Sequence, residues 1–169
     1  NLDDAILTYD SALEILPGNP DVLFNQSLAY LAQGNFKKGW PQYELRWQKQ
    51  GKEKVGGLNR DAAKTLLKPR WEPGLNGKTL LWSEQGIGDI IMFSSMALEL
   101  HNASSELIIQ TDERLIPLFR RSFPKNIKYF SSNIKVPETE YDFQIPIGSL
   151  PLHFRPNLKA FNKSSGGFL

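Results

Sequence analysis

The run from Thr79 to Phe93 restricts the fold more than any other part of this sequence. Thr79–Trp82 is a short apolar stretch after Asn76 and Gly77, the pattern of a strand covered on both faces. Gly86 and Gly88 then permit a sharp bend where a side chain would clash. Asp89 falls at or next to a helix N-cap. Ile90, Phe93, Ala97 and Leu100 follow at helical spacing, which turns one helix face inward. A strand that enters a helix through glycines leaves unpaired N–H groups and a positive dipole end at the strand's carboxyl edge. Open α/β sheets bind ligands at that edge.

The rest of the C-terminal half repeats the alternation. Strands are expected at Glu106–Gln110, Ile127–Phe130 and Tyr141–Ile147, with a helix over Glu113–Phe123. Strand–helix–strand order implies a parallel sheet, so the fold class is α/β with a Rossmann-like domain. The glycine loop gathers Ser83, Glu84, Gln85 and Asp89, more polar groups than a structural turn requires. A ligand loop and a plain turn capped by Asp89 both fit it. Ser149 ends a strand at the same carboxyl edge, and faces either the same cleft or a plain turn. Ile91 stands where a dinucleotide fingerprint needs a third small residue, which argues against NAD. His101 reads as a helix C-terminal residue and His153 as a loop residue. Neither has a partner at metal spacing, so no metal site is expected.

The N-terminal third is helical. Helices are expected over Leu2–Leu16, Asp21–Gln33 and Phe36–Gln48, broken at Pro17–Pro20 and at Gly34 with Asn35. Ala5, Tyr9, Ala12 and Pro17 form a small–aromatic–small–Pro series. Tyr30, Gly34, Phe36, Gly39 and Tyr43 continue the pattern one period later, at the spacing of a tetratricopeptide repeat. Gly39, Arg46 and Pro41 depart from it. About one and a half repeats cannot form a stable solenoid, so these helices must dock on something. The expected organisation is therefore tetratricopeptide-like helices over 1–48, a basic linker with a short helix near Arg60–Leu67 over 49–76, and a Rossmann-like domain over 77–169. Trp71 is expected to plug a seam between domains.

The net charge of +2 gives no electrostatic case for nucleic acid, and no apolar run approaches the length of a membrane span. The absence of cysteine fits a reducing compartment, and the N-terminus has no leader pattern, so a cytoplasmic location is expected. The chain starts within a repeat and ends in a Ser/Gly run, and so reads as a piece of a longer protein.

The run from Trp82 to Phe93 resembles the first βα loop of bacterial proteins that join tetratricopeptide repeats to a glycosyltransferase domain. The resemblance is to family 9, the heptosyltransferase-like group with a GT-B fold. Gly34–Trp47, Pro69–Gly74 and Tyr141–Pro151 belong to the same pattern. The resemblance implies the N-terminal half of a GT-B fold, the half that holds the acceptor. It implies Asp89 as general base, with Glu84, Gln85, Gly86, Gly88 and Ser149 around the substrate. No cofactor is implied for this half. A nucleotide-sugar donor belongs to a second domain, without which the chain is expected to be inactive. The partners implied are a sugar or protein acceptor. A protein bound by the repeat helices and self-association through an unfinished repeat face are also expected. The alternative is a non-catalytic adaptor that keeps the fold and binds protein through its repeats.

Overall fold

The computed structural model describes residues 1–48 and 66–164. Among these, residues 1–48 and 155–163 form one compact unit and residues 66–154 another. The short helix expected near Arg60–Leu67 lies largely outside the described residues.

The first unit is helical, with α1 (Leu2–Ile15), α2 (Pro20–Ala32) and α3 (Phe36–Tyr43). Each packs on the next. Asn19 caps α2, its side-chain oxygen accepting the N–H groups of Asp21 and Val22, and Pro20 takes the first turn, where its missing N–H costs nothing. At the other end Gly34 has φ +77°. The N–H of Asn35 reaches Tyr30 O and that of Gly34 reaches Leu31 O. This left-handed stop satisfies two carbonyls that the helix leaves open.

Gly39 explains one departure from the repeat pattern. A Cβ there would stand 2.5 Å from Leu31 Cδ2 and 3.2 Å from Leu31 N, so α3 lies closer to α2 than even alanine allows. Pro41 lies inside α3, which gives way to a 3₁₀ turn at Glu44–Trp47 instead of running to Gln48 as expected. Pro41 has no N–H for the Lys37 carbonyl, so α3 lacks one of its own i→i−4 bonds. In that turn Arg46 is buried, paired with Glu44 at 2.5 Å, and its guanidinium lies 4.7 and 4.6 Å from the ring centres of Tyr43 and Trp47. A planar cation between two rings fills a position where the pattern calls for a small residue.

Residues 155–163 belong to this unit, whereas the sequence reading ran the α/β domain to 169. Trp40 Nε1 donates to Arg155 O at 2.8 Å, and Phe161 packs on Phe36 with ring centres 4.9 Å apart.

The second unit is a parallel four-stranded sheet: β1 (Lys78–Trp82), β2 (Glu106–Thr111), β3 (Lys128–Ser131) and β4 (Phe143–Pro146), in the order β3-β2-β1-β4. Its helices are α4 (Ile87–Ser94), α5 (Ala97–Ala103), α6 (Ile116–Ser122) and α7 (Leu150–Phe154). The chain is thus α/β with a Rossmann-like sheet. Leu80, Leu81, Leu107, Ile108 and Ile109 are all buried in the two central strands. Each such side chain contributes roughly 1.5–3 kcal/mol. Ile90, Phe93, Ala97 and Leu100 do face inward, but two helices carry them. Ser94 Oγ and Ser95 Oγ bond the carbonyls of Ile91 and Met92, and the backbone tightens to i→i−3 bonds there.

The ladder reaches further back than the expected strands. Gln144 N bonds Pro69 O and Trp71 N bonds Gln144 O, so Pro69–Trp71 runs beside β4. Trp71 is buried and finds ring and hydrogen-bond partners within this unit. Its ring stacks on Phe154, meets His153 edge-on, and donates its N–H to Leu75 O. His153 accordingly lies in α7 and not in a loop.

Candidate functional site

The sheet order creates the site. From β1 the chain steps outward to β2 and β3, then returns to place β4 on the other side of β1. β1 and β4 are parallel neighbours, so their carboxyl ends lie side by side, at the edge where open α/β sheets bind ligands. The glycine loop leaves β1 there, and the turn at Ile147–Ser149 leaves β4. That turn packs against α4.

Glu84 is 1% exposed. Its Oε1 accepts the Gly148 N–H at 3.1 Å, and Gln85 Nε2 lies 3.4 Å from the same oxygen. A carboxylate that accepts a buried backbone N–H from the neighbouring turn ties the two loops together. Glu84, expected at the substrate, is therefore a strut between β1 and β4. Ser149, for which a place at the cleft and a plain turn were both open, is 2% exposed. Gln85 and Gly86 are half-buried and Gly88 is exposed.

Asp89 is half-buried and sits in the first turn of α4, two residues beyond its first residue, Ile87. It is not the cap that its position suggested. Gly86 occupies the N-cap with extended backbone and no side-chain cap bond. Asp89 Oδ2 lies 3.6 Å from where a Cβ on Gly86 would stand, so the carboxylate folds back over the helix start. Among the described residues no hydrogen bond holds it. The loop thus carries two carboxylates with different circumstances, one enclosed and bonded, one reaching solvent.

Two further side chains tie β1 to its neighbours. Gln144, within β4, accepts the Trp82 indole N–H at 2.7 Å through its side chain. Ser83 extends β1 through its N–H to Gln110 O, and its hydroxyl donates to Thr111 Oγ1. Gln144 was visible as a lone amide in an apolar strand, since a buried polar side chain needs partners. His101 ends α5 with its ring 3.3 Å from Asn126 Oδ1. Among the described residues no group of three His, Asp or Glu side chains could hold a metal ion. Nor is any described helix long and apolar enough to cross a membrane.

A separate hollow of about 530 Å³ lies beside β3, bordered by Arg120, Pro124, Lys125, Ile127 and Lys128–Phe130. It is away from the glycine loop, since β2 stands between β3 and β1.

The chain is 30% identical over 168 residues to Protein FlbA of Caulobacter vibrioides, an alignment covering 87% of this chain and 27% of that protein. The chain therefore spans little more than a quarter of the length of this curated relative. No family model matches the chain, and no solved structure matches it.

Proposed function

We propose that this chain is the acceptor-binding half of a heptosyltransferase-like glycosyltransferase with a GT-B fold, fused to tetratricopeptide-type helices. Asp89 is its general base. One observation carries the reading: a half-exposed carboxylate, unbonded among the described residues, stands over a glycine helix start at the switch point between β1 and β4. Positioned there, Asp89 takes the proton from an acceptor hydroxyl as that oxygen bonds the anomeric carbon. The sugar–phosphate bond breaks, and the nucleoside diphosphate leaves with the electron pair. Gln85, Gly86 and Gly88 border the acceptor, and Glu84 and Ser149 hold the loops that present it.

The donor belongs to a second Rossmann-like half, so residues 1–169 alone turn over no nucleotide sugar. A panel of nucleotide sugars, tested with this chain alone and within a longer protein carrying a donor half, checks this. Transfer only in the longer protein is expected, and product from this chain alone overturns the division of labour.

A second reading, a protein-binding adaptor, draws on the helical unit. Leu7 and Ile15 of α1 are 64% and 80% exposed, and Leu16 follows them into solvent. Apolar groups on one helix suit a protein partner or a second copy. Sedimentation of Leu7→Glu with Ile15→Glu against the unaltered chain separates the two. Association lost in the variant supports self-docking, and a monomer in both cases removes it.

A further inference from the structure

We propose that the outer edge of β3 is a docking site for an extended acidic peptide, which joins the sheet as a further strand. Among the described residues β3 ends the sheet order, so one of its backbone edges has no described strand beside it. Just past β3, the Ser132 N–H bonds Thr111 O at 2.8 Å, on the β2 side. Successive residues of a strand direct their amide groups to alternate sides. The N–H and C=O of Tyr129 and the N–H of Ser131 therefore face outward. The Ser131 carbonyl is taken by Ile134 N–H. Outward amide groups on an edge are a template for another chain.

The hollow lies beside the same strand. Its border includes Lys128, Tyr129 and Phe130 in succession. Alternate side chains of a strand point to opposite faces. A hollow that touches three consecutive residues of β3 therefore reaches more than the side chains of one face.

Charge selects the partner. Lys128 is committed to Glu106 at 2.7 Å and to Glu140 at 3.2 Å. Arg120 and Lys125 are exposed at the hollow and have no carboxylate partner among the described residues. Arg120 is held over the Tyr129 ring, 5.9 Å from its centre. Two cations beside an open strand edge favour glutamate and aspartate side chains. A second copy of β3 would set the same cations against each other, and juxtaposed like charges disfavour that pairing.

The test uses the full chain and a fluorescein-labelled peptide of alternating Glu and Val, read by fluorescence anisotropy. Saturable binding is expected, weakened about tenfold or more by Arg120→Glu with Lys125→Glu. Hydrogen exchange at the Tyr129 and Ser131 amides should slow in the complex. The same peptide with alternate backbone nitrogens methylated keeps its charge but cannot form the ladder, and should not bind. Equal binding by the methylated peptide, or by an alternating Lys and Val peptide, overturns the proposal. The methylation arm needs no protein variant, so it decides the matter even if the double substitution disturbs folding.

Discussion

The two units bury different things. The sheet unit hides aliphatic side chains on adjacent strands, with Leu80 and Ile108 fully covered. In the helical unit no residue of α1 is buried, and the groups buried on α2, α3 and the turn beyond are mostly small or polar: Gln26, Ser27, Ala29, Gly39 and Arg46. One unit depends on burial of hydrocarbon, which scales with area. The other depends on close approach and on particular pairings, which a single methyl group can upset. The contrast orders the substitutions that would break it.

Leu80→Ala, in the middle of β1, should cost about 3–4 kcal/mol by cavity formation, measured by urea unfolding. Glu84→Ala should cost about 2–3 kcal/mol, because the buried Gly148 N–H loses its acceptor. Gly39→Ala should destabilise the helical unit by about 1–2 kcal/mol, although alanine favours helix elsewhere, because its Cβ meets Leu31. Leu31→Ala in the same background should recover part of that loss. A neutral Gly39→Ala would mean that α2 and α3 are not in close contact.

A pH scan sharpens the same contrast from the sheet side. Burial pushes the Tyr129 hydroxyl up to about 12, and burial also raises that of Tyr141. An unfolded tyrosine ionises near pH 10. The folded chain therefore keeps the proton over a range where the unfolded chain loses it. Stability from Tyr129 is complete below about pH 10 and is lost as pH rises from 10 through 12. Melting temperature should fall across that window, and less steeply in Tyr129→Phe. The smallest effect is expected for Leu7→Ala on the exposed side of α1, within about 0.5 kcal/mol.

Much of the fold was legible because local signals agree. The apolar run after Asn76 and Gly77, the helix stop at Gly34 and the other strand cores each rest on neighbours in sequence. The remainder depends on distant partners. Alternating elements imply a parallel sheet but do not say that β4 returns beside β1, and that return sets the glycine loop beside the turn that leaves β4. Glu84 could not be read as a strut, since its partner Gly148 is 64 residues away. Asp89 was read near the cap because an acid after glycines commonly sits there. Gly86 takes the cap instead and moves Asp89 into the first turn. Pro69–Trp71 read as linker by composition, and only the Gln144 backbone reveals its strand-like pairing.

The central claim divides labour between two carboxylates of one loop, Glu84 holding and Asp89 acting. Asp89→Asn tests it most directly, in a protein that carries both halves. The account predicts loss of sugar transfer by about 10²–10⁴-fold in kcat, with the unfolding midpoint unchanged. Transfer at the unaltered rate would contradict it.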